Sequence, residues 1–337
     1  MNKNIFLFMI FATVLYFSYE LYRPFLQHIL IASLLAIATS NIQKLFLHNN
    51  KILVSSVMTL SLAILFFVPI TYTIFVGFNY INTLDTASIS NMIDFIKAVI
   101  LAILNFFGIN ENITQELKLK DTFTNVVTTV ASFGKYSLKF IADIFMILIF
   151  YFFILLYGKA IVTYLKNATP LNESESSSMF REISSVLAVV FYSILINAVF
   201  QGVLFGVVSS AFGLDGVLLG VLYGFCSLIP IIGGLLMWLP TSIYLLYLGN
   251  FFGAIFLIIY SIVFISILAD TFIKPLIIKY INKKLLKSAA SVNELLIFFS
   301  IVAGLSVYGF WGMIIGPAIT ALLISILNLY ANKKLEI

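Results

Sequence analysis

Long apolar runs, separated by short groups of charged residues, predict membrane helices along most of the chain. The runs at about 5–22, 25–47 and 52–80 each have the length needed to cross a hydrocarbon core of about 30 Å, which requires roughly 20 apolar residues. Further spans are predicted at about 136–157 and 185–212. The pattern therefore predicts an all-α, polytopic integral membrane protein.

Two intervening regions are more polar than the spans. In residues 81–135, charged side chains interrupt apolar groups that are too short to cross, which predicts a pair of extracytoplasmic amphipathic helices near the membrane surface. In residues 166–182, the Ser, Asn and Glu content predicts a solvated cytoplasmic linker. The chain is thus divided into five regions: amino-terminal membrane helices (1–80), a surface segment (81–135), a fourth span (136–165), a linker (166–182) and a carboxy-terminal core (183–337).

Proline and glycine interrupt the carboxy-terminal apolar runs. Pro230 removes a backbone donor, and Gly233 and Gly234 tolerate conformations that other residues avoid. Such a break survives in lipid only where it is buried in protein or lines a cavity. A similar grouping near the carboxy terminus indicates two broken, re-entrant helical hairpins, at about 216–248 and 291–331, with hinge or gate positions at Pro230, Gly233, Gly234, Pro240, Gly312, Gly316 and Pro317.

Two interpretations of these segments stay open from the sequence. The first is the pair of hairpins, which many secondary transporters use to build a site near the bilayer midplane. The second treats glycine and proline as packing and kink residues of full spans. Positive-inside topology favours the hairpins, because turning back within 216–248 places five more lysines inside and raises the cytoplasmic share of Lys and Arg from eight to 13 of 19. The amino terminus is cytoplasmic in this topology.

Composition supports the membrane assignment. Hydrophobic residues make up 62% of the chain, charged residues make up 10%, and the mean hydropathy is +1.11, which one soluble globule cannot hide. The net charge of +5 comes from basic residues at the ends of apolar runs, so no nucleic-acid partner is expected. A lone cysteine and two histidines without ligand spacing predict no metal site and no cofactor.

Asp270 is the most informative polar position. It is the sole carboxylate between Asp215 and Glu294, near the end of an apolar helix, and a charge at a bilayer centre costs about 2.5 to 3.5 kcal/mol on insertion scales. Lys274 follows one turn later on the same helix face. The pair is interpreted either as a proton or sodium site coupled to hairpin movement or as a fixed ion pair at the cytoplasmic interface.

Two other pairs have the same four-residue spacing. Asp143 and Lys139 lie in the fourth span, where a structural role is expected. Asn197 and Gln201 share a face of the fifth span and could bind a polyhydroxylated ligand or a neighbouring helix.

Three segments together resemble the autoinducer-2 exporter family, also called PerM-like permeases. The first segment contains the pair Gln201 and Gly202. The similarity to the family is specific over about residues 180–330 and only architectural before them. The second segment carries an Ile-Pro, Gly, Pro signature, at Ile229, Pro230, Gly233 and Pro240, followed by Gly249. The third is an Asp and Pro segment with a Gly-rich end, at Asp270, Pro275, Gly304, Gly309, Gly312, Gly316 and Pro317. This chain departs from the family pattern at Lys274, where Arg is frequent, and in its Gly-Gly pair.

The resemblance implies a permease of the bacterial inner membrane, usually with eight membrane segments. Family members are linked to export of autoinducer-2 or to sodium/proton antiport. The expected function is therefore an ion-coupled secondary transporter of a small polar solute, with autoinducer-2 as a candidate and sodium/proton antiport as the alternative. The expected partners are membrane lipid and a small polar solute or cation, and close packing of small residues would also allow a homo-oligomer.

Other classes are less well supported. An intramembrane enzyme would need a catalytic dyad or a zinc motif, and none is visible in the sequence, so no enzymatic activity is expected. No Walker motif occurs, which disfavours direct ATP-driven pumping by this chain. A non-transporting membrane scaffold or a passive channel stays an open alternative.

Overall fold

The computed structural model describes residues 3–45, 50–83, 86–106, 119–168, 172–229, 232–269 and 294–335, together with positions 273, 276 and 279. The helices in these ranges are α1 (Lys3–Tyr22), α2 (Leu26–Leu45), α3 (Lys51–Thr83), α4 (Thr86–Phe106), α5 (Leu119–Ala168), α6 (Glu173–Ala211), α7 (Gly216–Cys226), α8 (Gly233–Tyr247), α9 (Phe251–Tyr260), α10 (Glu294–Tyr308) and α11 (Gly312–Leu335). A π-helix, Ser261–Ile267, continues α9. Short 3₁₀ turns, Arg23–Phe25 and Gly309–Trp311, precede α2 and α11.

The all-α, polytopic class is confirmed. Five stretches within the described ranges are long and apolar enough to cross a membrane, at Lys3–Gln43, Lys51–Gly77, Leu138–Tyr164, Glu173–Ala211 and Leu295–Asn328. The first contains 41 residues. At 1.5 Å per residue, that is about twice the thickness of the hydrocarbon core, so α1 and α2 together provide the length of two spans.

Two helices begin earlier than the sequence pattern suggested. α5 starts at Leu119, so that 119–135 continues into the fourth span instead of forming a separate surface helix. No proline lies between Leu119 and Ala168 to end it. α6 starts at Glu173, inside the stretch expected to be a linker. Glu173 and Glu175 occupy its first turn, where negative charge favours a helix amino terminus.

The chain divides into two compact units, of which unit 1 contains residues 1–62, 142–191 and 285–337. Within it, the Thr39 hydroxyl lies 2.8 Å from the Tyr151 hydroxyl, and the Gln43 amide donates to the Leu155 carbonyl at 3.1 Å. From the first of these contacts to the second, the sequence advances by four residues in α2 and by four residues in α5. The two helices therefore run parallel. The surrounding core is fully buried and apolar, and it includes Ile31, Leu35, Ile144, Ile147 and Leu187.

The carboxy-terminal helices of unit 1 fold back on each other. Gly304 of α10 lies against the backbone of Gly312 in α11, and Gly316 lies against the carbonyl of Ser300. The apolar stretch Leu295–Asn328 therefore forms an antiparallel helical pair and does not continue as one straight helix. Gly309, with φ of 61°, forms the turn between them.

Unit 2 contains residues 63–141 and 192–284, and it includes a second antiparallel pair. Gly202 of α6 faces Gly220 of α7, and Gly206 faces Gly216, with the backbones in contact. Gly213, with φ of 78°, closes the carboxy end of α6, because its own amide donates to the Ser210 carbonyl and the Leu214 amide donates to the Ser209 carbonyl.

The turns that precede α7 and α11 share one spacing. A left-handed glycine, Gly213 or Gly309, comes three residues before the glycine that begins the next helix. A third glycine follows one turn later and lies against the preceding helix. The same aromatic-Gly-x-x-Gly-x-x-x-Gly pattern thus builds one helical pair in each unit, at 212–220 and 308–316.

We expect Gly202→Ala to destabilise the protein by about 1 to 3 kcal/mol, because the added methyl carbon would lie 2.6 Å from the Gly220 carbonyl oxygen and force the helices apart. Thermal unfolding in detergent measures the effect. Gly77→Ala is the matched control, since nothing lies within 4 Å of a methyl group added at that position. Equal unfolding temperatures for the two variants would show that the α6–α7 contact is not tight.

The hydrogen bond between Thr39 and Tyr151 should be measurable as a coupling energy. In a double-mutant cycle of Thr39→Ala and Tyr151→Phe, we expect roughly 0.6 kcal/mol, since interhelical hydrogen bonds in membrane proteins average about that value. Both side chains are buried, so water does not replace the lost partner. Additive effects of the two substitutions on the free energy of unfolding would contradict the contact.

Candidate functional site

A polar stripe lies along one face of α6 in unit 2. Ser193, Asn197 and Gln201 follow each other at four-residue intervals, which places them on one face of the helix. Ser193 and Gln201 are buried, at 5% and 7% exposure. The Ser193 hydroxyl and the Asn197 carbonyl oxygen have no hydrogen-bond partner among the described residues. Buried polar atoms in an apolar helical bundle ordinarily have partners, so this face is suited to binding a polar group.

An aromatic contact links the next turn of α6 to α7 and α8. The ring of Phe205 stacks on Tyr223, with centroids 4.5 Å apart. The Tyr223 hydroxyl reaches Gly234 at the start of α8, where an added methyl carbon would lie 2.7 Å from it and 3.8 Å from the Ser266 hydroxyl. Gly234 therefore leaves room for two hydroxyl groups in the core of unit 2.

The π-helix Ser261–Ile267 is the most irregular helical element in the described part of unit 2. The Ser266 hydroxyl donates to the carbonyl of Ser261, five residues earlier, at 3.1 Å. The Ser261 hydroxyl is itself buried and finds no partner within the described ranges. π-Helical turns are rare and frequently lie at functional sites. This one leads directly toward Asp270 in the sequence.

The predicted hinge residues have different surroundings. Gly233 lies against the carbonyl of Cys226, so it holds α7 and α8 together at their turn, and Gly312 and Gly316 hold α10 and α11 together. Pro240 and Pro317 lie inside the continuous helices α8 and α11 and do not end them. Their roles as hinges or gates stay predictions.

Three predicted residues lie outside the described residues. They are Pro230, Asp270 and Lys274. Their predicted roles in a hinge and an ion site therefore stay predictions.

The expected pairing of Asp143 with Lys139 is wrong. The Asp143 carboxylate instead lies 3.0 Å from the Nε2 atom of His28 in α2, and Lys139 is exposed. The four-residue rule considers one helix only, whereas this contact joins residues 115 positions apart. Across the described ranges, no three His, Cys, Asp or Glu side chains come together in a way that could hold a metal ion.

A cavity of about 450 Å³ lies in unit 2 beside the α6–α7 pair. Its lining is apolar and comes from α3, α6 and α7, with Pro69, Gly202, Val203, Gly220 and Phe225 among the contributors. The volume suits a small ligand. Asn197 and Gln201 are not part of the lining, however, so the polar stripe and not this cavity is the candidate for binding a polar solute.

Several polar residues of unit 2 were not identified from the sequence. Ser193 could have been found, since it precedes Asn197 by the same spacing that joins Asn197 to Gln201. The Ser261 and Ser266 hydroxyls and the Tyr223 contact depend on the π-helix and on packing between helices. No local pattern in the sequence indicates either.

Comparison with known proteins identifies the family. Residues 5–332 match the model of the AI-2E family transporters. A Helicobacter pylori (strain J99) protein named "Putative transport protein" is 37% identical over 342 aligned positions, covering 100% of this chain and 98% of that protein. An Archaeoglobus fulgidus protein of the same name is 26% identical over 99% of this chain and 97% of its own length. With its apolar helices and this match over nearly its whole length, the chain belongs to the AI-2E transporter family and is a multi-pass membrane transporter.

Proposed function

We propose that this protein is a secondary transporter that moves a small polar solute across the bacterial inner membrane, driven by an ion gradient. The family match supports the transporter class, and the buried polar stripe of α6 supports a polar solute. Its solute-binding residues in this proposal are Asn197 and Gln201, with Ser193 one turn before them.

The stripe supports a polar solute for an energetic reason. Leaving a polar atom buried without a hydrogen-bond partner costs about 1 to 3 kcal/mol, and both the Ser193 hydroxyl and the Asn197 carbonyl oxygen are in that condition among the described residues. A hydroxylated solute would supply both missing partners. An apolar solute would leave them unsatisfied, so the stripe favours a small molecule with several hydroxyl groups, of which autoinducer-2 is one candidate.

The helical pairs α7–α8 and α10–α11 are the moving elements in the proposal. Each contains close contacts between backbones, at Gly233 and at Gly304, Gly312 and Gly316. These contacts hold the two helices of a pair together, so in this proposal each pair moves as one body. Broken membrane segments of this type line the substrate path in many transporters.

Asp270 is the ion site in this proposal, with Lys274 as its partner. An acidic residue in an apolar segment is by default a functional candidate, and the π-helix just before it provides local irregularity. Sodium/proton antiport by the same carboxylate is the second candidate, since it would use Asp270 without the polar stripe.

Uptake into proteoliposomes tests the proposal directly. When a pH gradient is imposed, we expect the protein to accumulate labelled autoinducer-2, or sodium in the antiport alternative. We expect Asp270→Asn to abolish this gradient-driven accumulation, because the variant cannot bind the ion. Solute exchange at equilibrium should persist in Asp270→Asn. Flux that ignores both the gradient and the substitution would indicate a passive channel.

The polar stripe should set the apparent affinity for the solute. We expect Asn197→Leu and Gln201→Leu each to raise the KM of uptake by about fivefold, since a lost hydrogen bond contributes roughly 1 kcal/mol. Asn328→Leu is the matched control, because it replaces an exposed amide on α11. An unchanged KM in both stripe variants, with sodium/proton exchange intact, would favour antiport.

A further inference from the structure

The apolar cavity beside the α6–α7 pair has the proportions of a single hydrocarbon chain. Its lining on α6 extends from Leu195 to Ser210, which is about 22 Å of helix at 1.5 Å per residue. A volume of about 450 Å³ over that length has a mean cross-section of about 20 Å². One extended alkyl chain has a cross-section close to this value, so the cavity has room for one chain and not for two.

The chemistry of the walls favours an apolar occupant. Leu65, Phe66 and Leu228 are among the lining residues, and the Ser210 hydroxyl in the lining already donates to the Gly206 carbonyl at 3.0 Å. An apolar cavity of this kind does not hold ordered water. If it stayed empty, the lining atoms would lose dispersion contacts on one side. A hydrocarbon group is therefore the ligand that the cavity fits best.

The cavity lies within membrane-length helices and has an open side. Its walls on α3 and α6 belong to the stretches Lys51–Gly77 and Glu173–Ala211. Three valines at four-residue spacing on α6, Val199, Val203 and Val207, line the cavity and are also exposed, so they form its rim. Close association of membrane helices ordinarily uses small residues, and the glycines of α6 already face α7. A rim of branched side chains favours lipid hydrocarbon over a second copy of the chain.

A carboxylate lies at one end of the cavity. Asp215 directly precedes Gly216, which lines the cavity where α7 begins, and the lining stretches of α3, α6 and α7 contain no charged residue themselves. The Oδ1 atom of Asp215 accepts from the Leu218 amide at 3.0 Å, and a carboxylate can accept further hydrogen bonds. Tyr72 of α3 is close enough to interact with this charge. A primary ammonium group, with three donors, therefore complements this end of the cavity.

We propose that the cavity binds one acyl chain of a membrane phospholipid whose amine headgroup lies beside Asp215. Phosphatidylethanolamine has this chemistry, whereas phosphatidylglycerol would bring only negative charge to the carboxylate. Because the lining comes from α3, α6 and α7, the bound chain contacts all three helices and holds α3 against the α6–α7 pair. The site is separate from the polar stripe, and the proposal does not rest on the proposed transport function.

Lipid binding to the purified full-length protein tests the acyl-chain site. Native mass spectrometry in detergent measures the dissociation constant of the first bound phosphatidylethanolamine. We expect Val203→Phe to raise it at least about fivefold, because the ring takes the place of several methylene groups in the cavity. Val68→Phe is the matched control, since both valines are 59% exposed and Val68 is not part of the lining. Equal dissociation constants for the two variants would overturn the site.

The headgroup contact is tested by comparing two lipids with identical acyl chains. We expect the parent protein to bind phosphatidylethanolamine at least about fivefold more tightly than phosphatidylglycerol, because the ammonium donates a charge-assisted hydrogen bond to Asp215. Asp215→Asn should remove this preference while keeping the helix cap, since asparagine caps helices as well as aspartate does. Equal binding of the two lipids by the parent, or an unchanged preference in Asp215→Asn, would refute the amine contact.

Photo-crosslinking of the parent protein in bilayers needs no variant that could misfold. The probe is phosphatidylethanolamine with a diazirine at the end of one acyl chain. With the headgroup at Asp215, we expect the chain end to label Leu195 and Leu228, at the opposite end of the cavity, at least about fivefold more than Ile196. Ile196 is the control, because it is exposed at the same level of α6 outside the lining. Labelling of all three residues to the same extent would mean that no chain occupies the cavity.

Oxidative crosslinking decides between lipid and a second copy. Cys226 is the single cysteine of the chain, so Val203→Cys in a Cys226→Ala background gives one thiol at the rim of the cavity. We expect this variant to stay uncrosslinked in bilayers, because lipid occupies the open side. Disulfide-linked dimers would show that another copy covers the cavity, and the lipid proposal would then be wrong.

Discussion

Contact between helix backbones is the constraint on which the two helical pairs depend. Gly202, Gly206, Gly216 and Gly220 bring α6 and α7 so close that a single methyl group would strike a carbonyl oxygen. Lipid is as apolar as the helices, so burial of apolar surface gives no advantage to association there, and close packing must provide it. The glycines supply that packing, and the left-handed turn at Gly213 lets the chain reverse within a few residues. The same solution recurs between α10 and α11.

The fold class could be predicted because it depends on length and composition. Runs of some 20 apolar residues have few alternatives to a membrane helix, and the predicted spans coincide with helices. Element boundaries were harder, as Leu119 and Glu173 show, because a helix continues into polar sequence wherever nothing ends it. The parallel course of α2 and α5 follows only from the packed structure, through the contacts of Thr39 with Tyr151 and of Gln43 with Leu155.

The candidate site was predictable only where it lies on one helix. Asn197 and Gln201 could be paired from spacing alone, and the structure places Ser193 in the same stripe. Asp143 was paired with Lys139 by the same rule and was wrongly assigned, since its partner comes from α2. The rule cannot weigh a neighbour 115 residues away against one that is four residues away. Contacts such as that of Tyr223 with Gly234 likewise require the packed structure.

The shortness of α7 has a consequence for how the protein is made. Its 11 residues extend about 16 Å, roughly half of the hydrocarbon core, so α7 is too short to be inserted as a span in its own right. Inserted alone, it would leave the polar groups of its ends in lipid. The glycine face of α7 can also pack only when the matching face of α6 is present. We therefore expect α7 to enter the bilayer together with α6 and α8, as one helical unit.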